Sequence, residues 1–439
     1  MGEVRSTLTY TRRSRWLVTL ATVLLCVGLP ATAVAATPLP EARPESQGIS
    51  SARLQRLHDY LRTATGADGY LGGVTLLARN GRIVDWQAYG HRDLARRVPM
   101  RKDAIFRIYS MTKTVTSVAV MLLVEEGKLT LDDPLSRYLP GFAAPQVLIG
   151  GSIDAPKLRP ADQPVTLHEL LTHTAGYPAG RKGDELGLTL MERIDPHGAA
   201  DLRGFAERMR RVPLAADPGT RFGYDGASLE LLARVVEVVS GQSFESFLQQ
   251  RIFEPLQMRD TGFRVPAAQR SRVVDLTRMN AAGRLELADT ASARQPGEPL
   301  NAYPSGAGGL YSTAGDYARF AQMLLDGGTL DGHQLLGRKT VELMLRNHLG
   351  MLDPPVTQFS DAEGFGLGGY VVLDPARRGQ LGSPGQFGWS GAASTSFSID
   401  PHEHLLMILL LQHLPRDDGG KDLPRISRNF YDLVYQALP

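Results

Sequence analysis

Ser110 and Lys113 stand three residues apart in Ser110-Met111-Thr112-Lys113. A serine hydroxyl is a weak nucleophile at neutral pH and needs a neighbour to take its proton. Side chains three apart on a helix are surface neighbours, so this spacing aims the Lys113 amine at the Ser110 oxygen. An amine accepts a proton only when neutral, and burial disfavours its charged form. The stretch from Thr114 to Val124 supplies that burial, being apolar on almost every side, as a helix inside a domain is. Ser110 is therefore expected near the N-terminus of a buried helix, where free backbone N–H groups and the helix dipole favour negative charge. The chemistry expected of the pair is nucleophilic attack by a serine whose proton a lysine takes.

Two further groups suit that chemistry. Tyr224 lies in Pro218-Gly-Thr-Arg-Phe-Gly-Tyr224-Asp-Gly, just before a helix expected from Ala227. A tyrosine there either packs the loop or, beside a cation, accepts and returns protons. Gly388-Trp389-Ser390-Gly391-Ala392-Ala393 sits at the edge of an expected strand. It is either a plain glycine-rich turn or a backbone that approaches a ligand closely, its N–H joining that of Ser110 in an oxyanion hole.

Other polar residues read as structural. His173 ends a helical segment and fixes a loop near the cleft. Thr313 and Asp316 cap a helix. Asp132 and Asp133 precede Pro134 in a turn. His402 and His404 flank Glu403 with no third ligand to complete a zinc site, so no metal and no cofactor is expected.

The elements that must position these groups follow from periodicity. Ser50 to Arg62 has helical spacing behind a serine cap. Val74–Ala78 and Ile83–Trp86 flank Arg79-Asn80-Gly81, a strong hairpin signal. From about 136 to 300, loops rich in Pro and Gly alternate with helical stretches at Leu167–His173, Leu202–Arg211, Ala227–Ser240 and Phe244–Ile252, with few strand patterns before 276–288. Helices at Ala314–Leu325 and Thr340–Arg346 then lead into strand-like runs at Leu367–Leu373, Thr395–Ile399 and Leu405–Leu411. The expected plan is α+β: a sheet built from residues 36–135 plus 301–439, its first hairpin paired with its last strands, and a mostly helical insertion at 136–300. The active site would lie in the cleft between the two.

With 439 residues, 43% of them hydrophobic and 21% charged, the chain is long enough for a large core. A formal charge of +2 and the lack of a dense basic run beyond the N-terminus argue against a nucleic-acid partner. Residues 1–35 read as an export signal. Arg5, Arg12, Arg13 and Arg15 precede an apolar stretch from Trp16 to Gly28, and Ala33-Val34-Ala35 is a small-x-small cleavage site. The stretch is shorter than the roughly 20 residues of a membrane span, so no stable span is expected after cleavage, and the location is periplasmic or secreted. Thr11-Arg12-Arg13 partly matches a twin-arginine signal. Cys26, the one cysteine, falls inside this segment. A cleaved protein would have neither disulfides nor thiolate chemistry. Nothing in the sequence specifies an oligomeric state.

Taken in order, Phe106-Arg-Ile-Tyr-Ser110-Met-Thr-Lys113, Leu170-Leu-Thr-His-Thr-Ala-Gly176, Tyr224, Gly308-Gly-Leu-Tyr-Ser-Thr-Ala-Gly-Asp316 and Phe387-Gly-Trp-Ser-Gly-Ala-Ala393 resemble the serine β-lactamase and penicillin-binding-protein superfamily. The likeness is greatest to its class C-like branch, which includes family VIII carboxylesterases. It spans about residues 45 to 415. The resemblance implies the β-lactamase/DD-peptidase fold, an antiparallel sheet flanked by helices. It also implies that Ser110 attacks, that Lys113 and Tyr224 move the proton, and that the Ser110 and Ala392 N–H groups hold the oxyanion. The departures bear on substrate. Trp389 stands where β-lactamases of this branch carry a lysine for the substrate carboxylate. Tyr224-Asp225-Gly226 lacks the asparagine of the usual Tyr-x-Asn loop. Both changes weaken recognition of an anionic, amide-bearing substrate, and an aromatic wall formed by Trp389 beside Ser390 and Gly391 favours an apolar one. The reading is an exported serine hydrolase of short- or medium-chain carboxylic esters, its partner a small ester or acyl substrate. The rivals are acyl transfer, residual β-lactamase or D-amino-peptidase activity and, from another class, an inactive module that binds peptidoglycan fragments.

Overall fold

The computed structural model describes residues 38–439 except Asp417, and the isolated positions 2, 7 and 9. The export-signal reading, with Cys26 and the cleavage site, lies outside the described residues.

Seven antiparallel strands form the main sheet. They are β1 (Gly72–Arg79), β2 (Arg82–Gly90), β3 (Glu363–Phe365), β4 (Tyr370–Val372), β5 (Phe387–Gly391), β6 (Thr395–Asp400) and β7 (Leu405–Leu410), in the spatial order β3-β4-β5-β6-β7-β1-β2. The two ends of the chain thus meet in the middle of the sheet, where Val74 pairs with Leu410 and Arg79 with Leu405. The β1–β2 turn is made by Asn80 (φ 53°) and Gly81 (φ 73°). Two successive positive φ angles match the twist of the strands, and Asn-Gly tolerates them.

Every residue of β6 and β7 is buried, because both faces of the sheet are covered. On the inner face, Val74, Leu76, Phe397 and Ile408 share a core with α2 (Thr112–Glu125) and with α7 (Ala314–Leu325). On the outer face, Leu77, Met407 and Leu409 pack with Leu54, Leu57 and Leu61 of α1 (Ser51–Ala64) and with Phe430 and Val434 of α8 (Ser427–Tyr435). This double burial explains why Leu405–Leu411 reads as a continuous apolar run and not as an alternation.

Between the two parts of the sheet lie α3 (Leu167–Leu171), α4 (Glu185–Ile194), α5 (Leu202–Met209) and α6 (Ala227–Ser240). α6 packs on α2, and its Leu231 and Val235 join the inner core. Several expectations need correction. A hairpin at Gln146–Gly151 and Pro156–Pro160 interrupts the helical region. It is largely exposed and carries a register shift between Leu148 and Gly150, so its sequence has no apolar alternation to announce it. The run from Phe244 is α-helical only to Leu248 and continues as a π-helical turn, Gln249–Phe253. The strand expected at 367–373 is confined to β4, since Gly368 and Gly369 press their backbones against Ser117 and Phe387. The helix expected at 340–346 runs from Arg338 to Met344. Among the described residues no helix is long and apolar enough to cross a membrane.

Candidate active site

Ser110 lies just before the N-terminus of the buried helix α2. It occupies a 3-10 turn, Tyr109–Met111, that leads into α2. Tyr109 has φ 44°, a conformation that costs a non-glycine residue energy and persists only where the surroundings enforce it. Here the enforcing contacts are close. Ile108 N–H donates to the Leu310 carbonyl at 3.0 Å, and the buried Tyr317 hydroxyl donates to the Met111 carbonyl at 3.0 Å.

Lys113 begins the helix proper and is 3% exposed. Its Nζ lies 3.4 Å from Ser110 Oγ and donates to the Ala307 carbonyl at 2.8 Å. The loop bearing that carbonyl is tied to two helices. Thr116 Oγ1 of α2 donates to the Gly306 carbonyl at 2.7 Å. Glu230 of α6 accepts from Gly306 N–H at 2.9 Å and from Ser305 Oγ. Glu230 is 1% exposed, and burial pushes its carboxyl up to about 7, against the Ser305 hydrogen bond and the Lys113 charge. Nothing in the sequence marks Glu230 apart from an ordinary helix acid, so its link to the Lys113 environment is visible only in three dimensions.

Tyr224 joins the same cluster from the loop before α6. Lys113 Nζ lies 5.0 Å from the centroid of its ring, within cation–π range. The Tyr224 oxygen accepts a hydrogen bond from Trp389 Nε1 at 3.1 Å, and the two ring centroids are 5.0 Å apart. Trp389 is therefore more than an aromatic wall: its one polar atom is spent on the tyrosine. Behind Tyr224, His173 is fully buried with its ring centroid 4.7 Å from the tyrosine ring. Burial pushes the His173 imidazole down, against the Asp225 hydrogen bond. Its Nδ1 lies 3.2 Å from Asp225 Oδ2 and accepts from Asp225 N–H at 3.3 Å. Asp225 also accepts from Ser228 N–H and Oγ at 2.6 and 2.9 Å, which pins the tyrosine loop to the first turn of α6. Thr313 caps α7 by accepting from Asp316 N–H, as its sequence suggests.

β5 closes the far side. It pairs with β4 only through Phe387 and Gly388, so Trp389, Ser390 and Gly391 have a partner strand on one side alone, β6. The segment expected at a strand edge is thus a strand in its own right, with a half-open edge. A Cβ on Gly391 would lie 2.3 Å from the Ile108 carbonyl oxygen. Only glycine lets β5 approach the Ser110 turn this closely, and Ala392 follows at once. Ser110, Tyr224, Trp389, Ser390, Gly391 and Ala392 all border one cavity of about 480 Å³. Phe359, 56% exposed, stands on its rim with its ring 5.8 Å from Tyr224 and 6.3 Å from Trp389. Its place in a long loop gave no sequence signal. A nucleophile, an amine and a phenol thus converge beside an apolar space of ligand size, an arrangement able to form and release an acyl-serine.

Residues 57–428 match the description of the beta-lactamase family. Esterase EstB of Burkholderia gladioli is 31% identical over 363 residues, covering 77% of this chain and 86% of EstB. Lovastatin esterase of Penicillium rubens is 30% identical over 402 residues, covering 84% and 96%. Among solved structures, the LovD6 mutant of simvastatin synthase from Aspergillus terreus superposes with a TM-score of 0.74 at 25% identity, covering 88% of this chain and 95% of that one.

Proposed function

The chain belongs to the beta-lactamase family, and we propose that it is an exported, periplasmic or secreted, serine esterase that cleaves short- or medium-chain carboxylic esters through a Ser110 acyl-enzyme. Relatives named as esterases support a serine hydrolase of this superfamily. The observation that carries the ester reading is the Trp389–Tyr224 hydrogen bond. The strand-edge position facing the nucleophile holds an indole committed to the tyrosine, and no cation.

In this reading Ser110 Oγ attacks the ester carbonyl as its proton passes to Lys113 Nζ, 3.4 Å away. The Ser110 and Ala392 N–H groups stabilise the oxyanion, a term worth about 3 kcal/mol per donor in other acyl-transfer sites. The proton is then delivered to the leaving alcohol, with Tyr224 relaying it between amine and alcohol. Water enters by the reverse route and frees the acid. Ser390 and Gly391 line the path of the substrate beside Trp389.

Transfer of the acyl group to a small alcohol or amine is the second reading. It is favoured by a relative named as an acyltransferase, from Monascus pilosus, and by an apolar rim that disfavours water. The division into a sheet portion (36–135 with 301–439) and a helical portion (136–300) is proposed with it, the cleft lying between them. Labelling with a fluorophosphonate, followed by peptide mass spectrometry, tests the reading. Modification of Ser110 supports it. An unlabelled, folded protein points to a binding module.

A further inference from the structure

An oxyanion hole made of the Ser110 and Ala392 N–H groups is split between two segments of chain, the Tyr109–Met111 turn and the end of β5. Two such donors act together only when both lie about 2.7–3.1 Å from one developing oxygen. The two segments must therefore be fixed against each other. Their direct contact is small. The Ile108 carbonyl accepts from Thr395 Oγ1 at 3.3 Å, and Gly391 lies against that carbonyl.

A second link runs behind them. The strand that enters the nucleophile turn is only two residues long, Phe106–Arg107, and it pairs on one side with Tyr311–Ser312. Ile108 N–H donates to the Leu310 carbonyl on that side. Arg107, one residue earlier, turns its N–H and carbonyl the other way. There a single side chain meets both. Gln412 Oε1 accepts from Arg107 N–H at 2.7 Å, and Gln412 Nε2 donates to the Arg107 carbonyl at 3.2 Å. The amide takes the place of a neighbouring strand. Its orientation is fixed at both ends: Arg107 Nη1 also donates to Oε1, at 3.3 Å, and Nε2 also donates to the Leu411 carbonyl, at 3.2 Å. The guanidinium is held in turn by the carbonyls of Val274 and Ser292. Gln412 is 3% exposed and does not border the cavity.

The next residue holds the other segment. His413 N–H donates to the Ala393 carbonyl at 3.1 Å, and the His413 carbonyl accepts from Ser394 Oγ at 3.0 Å. Two consecutive residues thus grip Arg107, just ahead of the nucleophile turn, and Ala393 and Ser394, just after Ala392. Both residues continue from β7, whose every position is buried, so the grip is anchored in the core.

We propose that Gln412 is a positioning residue for the oxyanion hole: its side-chain amide holds the Ser110 turn where the Ser110 and Ala392 N–H groups reach one oxygen. It acts through the Arg107 backbone and does not touch the substrate. The proposal rests on the acyl-serine reading of the same site.

Two substitutions test it. Gln412→Met keeps the length of the side chain and removes both hydrogen bonds to Arg107. Gln412→Glu keeps the acceptor for Arg107 N–H, gives the guanidinium a charge partner and removes the donor to the carbonyl. In each, kcat for p-nitrophenyl butyrate is expected to fall about tenfold or more with KM within about twofold, because a displaced oxyanion donor weakens the transition state and not the substrate complex. Butylboronic acid forms a tetrahedral adduct with a reactive serine. Its binding should weaken by the same factor as kcat, while binding of butyrate is unchanged. Thermal melts follow the fold, and Gln412→Glu carries the test where Gln412→Met does not fold. A lower melting temperature with wild-type kcat and boronate affinity makes Gln412 a structural residue only and overturns the proposal. Equal loss of boronate and butyrate binding, the sign of a disrupted cavity, also overturns it. If boronate binding is lost selectively in a protein that hydrolyses no ester, the positioning role stands and the ester reading fails. If the ester is hydrolysed at Ser110 and both variants keep kcat, the ester reading stands and the positioning role fails.

Discussion

Trp389 Nε1 donates a hydrogen bond to the Tyr224 oxygen at 3.1 Å, joining a sheet strand to the loop that precedes α6. The phenol is thereby oriented by the residue that also walls the cavity. Trp389→Phe keeps the ring and removes the donor. It is expected to lower kcat about tenfold, the worth of one hydrogen bond to a reacting group, with little change in KM. Steady-state kinetics on p-nitrophenyl butyrate reads this directly. An unchanged kcat would show that the tyrosine needs no such support.

Lys113 is placed to take the Ser110 proton. Lys113→Ala should cost turnover by about a thousandfold or more, because general-base assistance contributes factors of that order. The fold should survive, since the lost hydrogen bond is to a carbonyl on a loop that Thr116 and Glu230 also hold. Kinetics paired with a thermal melt separates the two effects. Near-wild-type turnover would remove Lys113 from the mechanism.

Glu230 carries a proton in the folded state over a window where the unfolded chain has lost it. Burial raises its carboxyl from an ordinary 4.5 to about 7. Between those values the folded protein binds more protons, so stability falls as pH rises through the window and levels off above it. One such group gives a slope of about 1.4 kcal/mol per pH unit. Asp316, raised by burial from 3.8 to about 7, adds a slope of the same sign, so urea unfolding from pH 4.5 to pH 8 should show a slope shallower by about that amount in Glu230→Gln than in the wild type. Glu230→Ala also strands Ser305 Oγ and Gly306 N–H, and should destabilise by about 2–4 kcal/mol at pH 4.5, a cost that shrinks as the wild type itself loses stability toward pH 7. A slope as steep in Glu230→Gln as in the wild type would assign it to another group.

Gly391 sets how near β5 comes to the nucleophile. A Cβ there would collide with the Ile108 carbonyl and with Thr395 Oγ1, each at 2.3 Å. Gly391→Ala is expected to destabilise by about 1–3 kcal/mol through overpacking. Its activity should fall far more than that of an equally destabilised variant remote from the cleft. Melting temperature and kcat/KM, measured on both, decide the point.

What was legible in the sequence depended on how local its cause was. The β1–β2 hairpin follows from two adjacent residues, Asn80 and Gly81, and α2 follows from its own apolar run. Ser110 and Lys113 are neighbours on one turn, so their contact could be read from spacing. Tyr224 and Trp389 were singled out separately, but their hydrogen bond spans 165 residues of chain, and no local pattern encodes it. Glu230 looks like any acid on an amphipathic helix until the loop at 305–307 closes over it. The Gln146–Pro160 hairpin escaped because exposed strands need no alternation.

The central claim is an ester-cleaving Ser110 in a site whose strand edge offers an indole in place of a cation. It is tested by assaying p-nitrophenyl butyrate and nitrocefin side by side with the wild type and Ser110→Ala. The account expects turnover of the ester, little or none of the β-lactam, and loss of ester turnover in Ser110→Ala. Efficient nitrocefin hydrolysis by the wild type, or ester turnover that survives in Ser110→Ala, would contradict it.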